Sequence, residues 1–194
     1  MSDRHTPVML DRIVELLTPS CSKHYSKRPI IVDGTLGLGG HSEAILQRIP
    51  NVCVIGLDRD TQALALATER LASFGERFLG IHTEYHHIAD VIAASDHPLC
   101  QQVQQLGING ALYDLGVSSM QLDDDGRGFS YSRNVPLDMR MDATTGVTAA
   151  DILNTYDARD LAYVFRVYGD EKFASKIAHA VVKERAITPF QKAT

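Results

Sequence analysis

The sequence predicts an α/β protein whose core is a Rossmann-like, doubly wound parallel sheet. Three observations lead to this fold class. Short runs of branched apolar residues recur in the first half of the chain, segments with helical periodicity separate them, and a glycine-rich turn at residues 34–40 directly follows the first run. Strands that alternate with helices of this length pair in parallel through right-handed crossovers, and helices then cover both faces of the sheet.

The elements are predicted in the following order. An amphipathic helix begins at Met9, places Ile13 and Leu17 on one face, and ends near Pro19. Four strands are expected at residues 30–33, 51–58, 78–82 and 111–114. Helices are expected at residues 41–49, 62–74 and 87–94.

The periodicity is lost after Ser119. About 25 residues follow without a helix or strand pattern, and because they still contain aromatic and methionine residues we predict an ordered functional loop. Helices return at residues 161–168 and 173–182, and Thr148 with Asp151 forms a capping-box pattern before them. We therefore expect a core at residues 1–119 and a loop with a helical subdomain at residues 120–194. Because four strands leave an open sheet edge, we also expect a fragment of a longer protein.

The overall composition excludes few classes of function. The 194 residues, 44% of them hydrophobic, are enough for one domain with a small appendage. The net charge of −5 gives no basic field, so charge is silent on a nucleic-acid partner. The scattered cysteines favour a reducing, cytoplasmic compartment, and Cys53 is predicted to be a buried small hydrophobe. Charges within the first helical pattern argue against a signal peptide or a membrane span.

The glycine-rich turn predicts a ligand site at the carboxyl ends of the strands. Glycine accepts positive φ and lets a ligand approach the main chain. The spacing is G-x-x-G-x-G-G, which is neither the dinucleotide pattern G-x-G-x-x-G nor a Walker-type phosphate loop. Taken alone, this turn leaves open the alternative of a tight turn without a ligand.

Three acidic residues, Asp33, Asp58 and Asp114, end neighbouring predicted strands. Asp58 stands where doubly wound nucleoside binders place a carboxylate that accepts hydrogen bonds from both ribose hydroxyls. A helix cap is the alternative role for Asp58, although Asp60 is also available for capping. A pyrophosphate among these carboxylates would need a cation, so a phosphate-free ligand such as S-adenosylmethionine is favoured.

Seven segments of the chain carry a family resemblance. They are HTPVML (5–10), DGTLGLGGHS (33–42), LDRD (57–60), DLGVSSMQLD (114–123), GRGFS (126–130), PLDMRMD (136–142) and YGDEKFASKIA (168–178). Together they resemble the bacterial 16S rRNA cytosine-N4 methyltransferases over nearly the whole chain. The resemblance implies S-adenosylmethionine as cofactor and a cytidine of small-subunit rRNA, free or in the 30S particle, as substrate. It leaves a homodimer open.

The resemblance also implies roles for particular residues. Gly39, Gly40 and His41 would contact the cofactor, Asp58 its ribose and Tyr85 its adenine, and Asp114 and Gln121 would complete the pocket. Tyr85 departs from the phenylalanine that is common in the family, but stacking survives that change. The family inserts a helical substrate-recognition subdomain after the fourth strand, which matches the change after Ser119. Later strands of the family are absent here, so the resemblance implies an incomplete, C-terminally truncated class I methyltransferase.

Asp114 is the predicted catalytic residue. Methyl transfer is an in-line displacement, so positioning should account for most of its rate. An acceptor for the N–H of the exocyclic cytosine amine would favour the reactive tetrahedral geometry, and Asp114 is the best acceptor at the end of the fourth strand. It could instead hold the cofactor.

Arg127, Phe129 and Arg133 are the predicted RNA contacts. The target base must be unstacked, and these side chains offer a stacking surface and phosphate contacts. The alternative is that the aromatic residues anchor the loop and the arginines pair with carboxylates. For Arg140, near Asp138 and Asp142, the ion pair is the favoured interpretation.

We predict no metal site, because His82, His86 and His87 lack a supporting cysteine or carboxylate pattern. Two other functions stay open. A nicotinamide-dependent oxidoreductase would use the same crevice, although the glycine spacing counts against it. A cofactor-binding fragment or assembly factor without turnover is the second.

Overall fold

The computed structural model describes residues 7–21, 28–117, 128–129 and 134–193. The chain divides into two compact units, Met1–Gly116 and Val117–Thr194. The two units are defined by how compactly the chain packs within each of them. The functional roles expected for residues 1–119 and 120–194 therefore stay predictions. Within the described ranges, no helix is long and apolar enough to cross a membrane.

A four-stranded sheet forms the centre of the first unit. Its strands are β1 (Ile30–Asp33), β2 (Cys53–Asp58), β3 (Phe78–His82) and β4 (Gly110–Leu112). The order across the sheet is β3-β2-β1-β4, and every neighbouring pair is parallel. The chain therefore builds outward from β1 to β3 and then returns to the other side of β1, a reversal that opens a crevice at the carboxyl ends of the strands. The predicted Rossmann-like α/β class is confirmed.

Helices cover both faces of this sheet. They are α1 (Leu10–Cys21), α2 (Gly40–Arg48), α3 (Thr61–Leu71), α4 (Ile88–Ala93) and α5 (Pro98–Leu106), with 3-10 turns at Ala72–Arg77 and Tyr85–His87. Ile31 and Val54 pack against α1, α2 and α3 on one face. Ile30, Val32 and Ile55 pack against α4 and α5 on the other face. Because β1 and β2 are buried on both faces, their sequences are continuous apolar runs. Cys53 is fully buried within β2, as predicted.

The boundaries of two strands agree with the sequence prediction, whereas the end of the first helix does not. The predicted strands at residues 30–33 and 78–82 have the bounds of β1 and β3. In contrast, α1 continues through Pro19 to Cys21. A proline in a last helical turn gives up only its own N–H bond, and the Ser20 hydroxyl donates to the carbonyl oxygen of Leu17 at 2.7 Å, which supports that turn.

Helix α5 was not among the predicted elements. Its signal is Pro98 at the first helical turn, preceded by His97. The Nδ1 atom of His97 accepts a hydrogen bond from the Leu99 amide at 3.2 Å, so a histidine replaces the serine or aspartate that usually marks a helix start.

The second unit is helical in its described part. It contains α6 (Ala149–Thr155), α7 (Ala158–Val167) and α8 (Ala174–Arg185). Leu161 of α7 and Ala174 of α8 are fully buried in the cluster that joins these helices. The capping box at the start of α6 is confirmed. The Thr148 hydroxyl accepts from the Asp151 amide at 3.0 Å, and the Asp151 carboxylate accepts from the Thr148 amide at 2.9 Å.

The PLDMRMD segment connects α6 to the last described residues. Pro136 and Lys192 form an antiparallel bridge. The Asp138 carbonyl oxygen accepts a hydrogen bond from the Ala149 amide at 2.8 Å, which satisfies one free N–H group at the start of α6. The segment is therefore ordered by backbone pairing on two sides.

Candidate functional site

Two glycines of the turn after β1 are required by protein packing. A Cβ atom on Gly34 would lie 2.2 Å from Cε1 of Tyr113. A Cβ atom on Gly40 would lie 2.6 Å from Cγ of Pro7. Neither distance is tolerated between carbon atoms, so side chains are excluded here by the protein's own residues.

The space around Gly37 is open, unlike the space around Gly34 and Gly40. Its φ is +51°, and a Cβ atom built on it would meet nothing within 4 Å. Gly39, by comparison, has φ +77° at the start of α2 and lies against Leu71, whose Cδ1 would be 3.1 Å from a Cβ. Gly37 is therefore the glycine of this turn at which a ligand can approach the main chain most freely.

Asp33 is a buried structural carboxyl group. The hydroxyl of Ser42 donates to its Oδ2 at 2.7 Å, and the amide of Thr35 donates to its Oδ1 at 3.2 Å. Burial raises the pKa of Asp33, and the hydrogen bond from Ser42 opposes that rise. With 1% of its surface exposed, Asp33 fixes the turn to α2 and is not available to a ligand. Asp58 and Asp114 remain as the accessible acidic pair.

Asp58 ties the glycine turn to the end of β2. Its Oδ2 accepts from the Gly37 amide at 2.7 Å and its Oδ1 accepts from the Asp60 amide at 2.8 Å. The cap of α3 is Asp60, whose Oδ1 accepts from the amides of Gln62 and Ala63. A carboxylate oxygen has two lone pairs, so both oxygens of Asp58 retain capacity for ligand hydroxyl groups. The ribose role stays a prediction.

Thr35 connects the turn after β1 to the segment after β4. Its hydroxyl accepts a hydrogen bond from the Asp114 amide at 2.7 Å, while its own amide donates to Asp33. Asp114 is exposed, and its backbone is held in place by this bond. Thr35 was not among the residues predicted from the sequence. Its signal is the Asp-x-Thr spacing, because an aspartate commonly accepts a hydrogen bond from the amide two residues on.

Two tyrosine rings meet at the same edge of the sheet. Tyr85 and Tyr113 are each 46% exposed. Their ring centroids are 5.7 Å apart, and the ring planes make an angle of 74°. Tyr113 was not assigned from the sequence, although an aromatic residue directly before the exposed Asp114 was available as a signal.

His41 and Gly40 hold the amino-terminal residues. His41 is buried, and its Nε2 lies 3.0 Å from the carbonyl oxygen of Val8. Pro7 packs on Gly40 as described above. The start of α2 is thus contacted by residues 7 and 8 of the chain. Cofactor contacts of Gly39, Gly40 and His41 stay predictions.

Several predicted residues lie outside the described ranges. These are Gln121, Arg127 and Arg133. Phe129 is partly buried, and its neighbour Gly128 has φ +71°. A Cβ on Gly128 would lie 2.2 Å from the carbonyl oxygen of Pro136, so this glycine packs directly on the backbone of the PLDMRMD segment.

Arg140 forms the ion pair that the sequence favoured. Its Nε donates to Oδ1 of Asp138 at 2.9 Å, and its Nη2 donates to Oδ2 at 2.8 Å. These hydrogen bonds raise the pKa of Arg140. Between the two residues, Met139 has φ +61°. Asp142 accepts from the hydroxyl of Thr144 at 2.6 Å and holds the following turn.

The histidines near β3 make local contacts. The Nε2 of His82 lies 3.0 Å from the Arg59 carbonyl oxygen, and the Nδ1 of His86 lies 3.3 Å from a carboxylate oxygen of Glu84. The rings of His86 and His87 have centroids 3.9 Å apart. Within the described ranges, no three histidine, cysteine or acidic side chains are grouped as a metal ion requires.

The second unit carries an open groove between α7 and α8. Its lining residues are Asp157, Ala158, Arg159, Ala162, Tyr163, Arg166, Val167, Ser175 and His179. Basic, acidic and apolar side chains are mixed in this lining, so the groove does not indicate one kind of ligand.

The carboxyl edge of the first unit has the features of a nucleoside site. It combines open main chain at Gly37, a carboxylate with spare acceptor capacity at Asp58, and half-exposed aromatic rings. Asp114 adds an exposed carboxylate two residues beyond the end of β4, because that strand ends at Leu112 and not at the predicted residue 114. Such groups can bind hydroxyl and amine donors and can stack on a planar base.

Curated relatives of this chain carry the name ribosomal RNA small subunit methyltransferase H. The protein of that name from Corynebacterium diphtheriae is 53% identical over 96% of this chain and 56% of its own length. The one from Nocardioides sp. is 54% identical over 96% of this chain and 55% of its own. The one from Nocardia farcinica is 52% identical over 97% of this chain and 56% of its own. The chain thus spans about half the length of the curated relatives that it matches.

A family model matches nearly the whole chain. The model described as the MraW methylase family matches residues 2–194, which includes both compact units. The glycine turn, the exposed Asp114 and the PLDMRMD segment all lie within the matched residues. The chain therefore belongs to the MraW methylase family.

Proposed function

We propose that this chain acts in the transfer of a methyl group from S-adenosylmethionine to the exocyclic N4 amine of a cytidine in 16S rRNA of the small ribosomal subunit. The observation that carries the proposal is the family match over residues 2–194. The names of the relatives, which specify small-subunit ribosomal RNA, support the class of substrate. Because the chain spans about half of those relatives, the complete activity belongs to the proposal.

The carboxyl edge of the first unit fits S-adenosylmethionine. The open main chain at Gly37 accepts close approach, and Asp58 can accept hydrogen bonds from the ribose hydroxyls. Tyr85, half-exposed after β3, offers a stacking surface for adenine. The ligand has no phosphate, so it avoids repulsion from Asp58 and Asp114. When bound, it supplies an activated methyl group on a positively charged sulfur.

Asp114 is the proposed acceptor for the N–H group of the target amine. Its backbone is fixed by the 2.7 Å bond from its amide to the Thr35 hydroxyl, while its side chain faces solvent. A fixed carboxylate that accepts a hydrogen bond from the amine N–H can orient the amine and favour the tetrahedral geometry, in which the nitrogen lone pair is no longer delocalised into the cytosine ring. Such positioning is the main contribution that a protein makes to a displacement. A direct contact with the cofactor is the alternative role.

The remaining assignments complete the proposal. Gln121 would close the cofactor pocket, and Arg127, Phe129 and Arg133 would contact RNA. A ribosomal substrate places the protein in the cytoplasm. The relatives give no support to a nicotinamide-dependent oxidoreductase or to an assembly factor without turnover.

Cofactor binding tests the first part of the proposal. Isothermal titration with S-adenosylhomocysteine should give saturable binding, whereas NADH should give none. Asp58→Asn should weaken binding about tenfold to hundredfold, because charge-assisted hydrogen bonds contribute about 1.5–3 kcal/mol. Asp90→Asn is the matched control, since the Asp90 side chain is 87% exposed on the same unit. Unchanged affinity of Asp58→Asn would remove the ribose assignment.

Methyl transfer tests the substrate. Small-subunit particles are incubated with this chain and radiolabelled S-adenosylmethionine, and the RNA is digested to nucleosides. We expect the label in N4-methylcytidine. Label in another nucleoside, or in protein alone, would contradict the proposed target.

A further inference from the structure

Tyr85 and Tyr113 approach each other across the centre of the sheet edge. Tyr85 follows β3 and Tyr113 follows β4, which are the outer strands in the order β3-β2-β1-β4. Three strand spacings correspond to about 14 Å. The ring centroids are nevertheless 5.7 Å apart. The two side chains therefore lean inward over the carboxyl ends of the inner strands, β1 and β2.

The backbone holds Tyr113 in this position from two sides. Its ring lies on the main chain at Gly34, the first residue after β1, where a Cβ would be 2.2 Å from Cε1. The next residue, Asp114, is tied through its amide to the Thr35 hydroxyl at 2.7 Å. The absence of a side chain at Gly34 is thus a requirement of this ring position.

The two rings form a corner that remains half open. The planes meet at 74°, and each tyrosine residue is 46% exposed. A planar base that stacks on one ring presents its edge to the other, and both stacked and edge-to-face arrangements of aromatic rings are favourable. Asp58, whose carboxylate accepts the Gly37 amide, ends β2, which is one of the two inner strands.

We propose that Tyr113 is a second aromatic contact for the adenine of the bound cofactor, and that it forms the base-binding corner together with Tyr85. This assignment rests on the proposed function and adds a residue to its site. The adenine is favoured over the target cytosine because the Tyr113 ring contacts Tyr85 and lies on the main chain at Gly34, in the glycine-rich turn. The same backbone segment would then serve both ligands, with Tyr113 on the cofactor and Asp114 on the amine.

Three substitutions separate stacking from other roles of Tyr113. Tyr113→Phe keeps the ring and should bind S-adenosylhomocysteine as wild type does. Tyr113→Ala should weaken binding about tenfold, since loss of an aromatic stacking partner reduces affinity by roughly that factor or more. Tyr113→Leu keeps apolar bulk against Gly34 and should resemble Tyr113→Ala. Tyr163→Ala is the matched control, because Tyr163 also makes an edge-to-face tyrosine pair, with Tyr168 at 6.2 Å, but in the second unit.

The experiment measures affinity of the full chain for S-adenosylhomocysteine and for adenosine by isothermal titration, with circular dichroism to verify folding. The chain has no tryptophan, so quenching of tyrosine emission by adenosine gives an independent signal. Equal losses for both ligands in Tyr113→Ala and Tyr113→Leu support the assignment. A loss for S-adenosylhomocysteine alone, or no loss, overturns it while the proposed function stands. Absence of binding by wild type removes both.

Discussion

Ser42→Ala tests the buried hydrogen bond that fixes the glycine turn to α2. Ser42 is fully buried, and its hydroxyl donates to Oδ2 of Asp33 at 2.7 Å. Alanine keeps the helix and nearly the same side-chain volume, but Oδ2 loses this donor. The Thr35 amide remains on the other oxygen at 3.2 Å. The substitution therefore isolates one hydrogen bond to one carboxyl group.

The expected cost depends on the charge of Asp33. A hydrogen bond to an ionised group contributes about 1.5–3 kcal/mol, and one to a neutral group contributes about 1 kcal/mol. Burial raises the pKa of Asp33 above its ordinary value, so the folded protein retains this proton at a higher pH than the unfolded chain. The contribution of Asp33 to stability is therefore greatest below its unfolded pKa and declines as the pH rises through its folded pKa.

The direction of the pKa shift of Asp33 determines how the effect of Ser42→Ala on stability depends on pH. Ser42 lowers the pKa of Asp33, because its hydroxyl favours the charged form. Loss of the hydroxyl should thus cost about 2 kcal/mol on the alkaline side of the folded pKa and about 1 kcal/mol on the acidic side. In an Asp33→Asn background, Ser42→Ala should lower the free energy of unfolding by about 1 kcal/mol at every pH, because residue 33 then carries no charge.

Urea unfolding followed by circular dichroism, at a series of pH values over which the protein stays folded, measures these free energies. Tyrosine emission provides a second probe, and coincident transitions of the two probes are required for the analysis. Ser175→Ala, at an exposed serine of α8, is the control. Two results would refute the role of this bond. One is a loss of unfolding free energy below about 0.5 kcal/mol for Ser42→Ala at every pH. The other is the same pH dependence of that loss in the wild-type and Asp33→Asn backgrounds.

Substitutions at three further positions test local features of the fold. Asp60→Ala removes the cap of α3 and should lower the free energy of unfolding by about 1 kcal/mol in urea titrations, whereas Asp60→Asn should retain most of it. Thr148→Ala removes the capping box with Asp151 and should increase hydrogen exchange in the first turn of α6. Gly128→Ala places a Cβ against the carbonyl oxygen of Pro136 at a φ of +71°, so the second unit should lose about 2 kcal/mol or more by the same urea assay. Wild-type behaviour of Asp60→Ala, Thr148→Ala or Gly128→Ala would contradict the corresponding contact.

The local sequence determined the elements whose causes are local. The run Ile30–Val32 is apolar without interruption and is followed by Asp33 and a glycine, so a buried strand and its end could both be predicted. The capping box of α6 depends on two residues three positions apart, and it was predicted with the residues that form it. Arg140 and Asp138 are two residues apart, so their ion pair could also be predicted from the local sequence.

The tertiary structure decided the partners of the site residues. Gly34 and Tyr113 are far apart in sequence, and the requirement for glycine becomes visible only when the Tyr113 ring lies on that backbone. Asp33 and Asp58 both read as strand-end carboxylates, yet one is buried beneath Ser42 and the other accepts the Gly37 amide. Spacing along a chain encodes helix and strand periods, because these arise from neighbouring residues. Contacts between strand ends depend on the strand order, and that order is fixed only when the whole sheet packs.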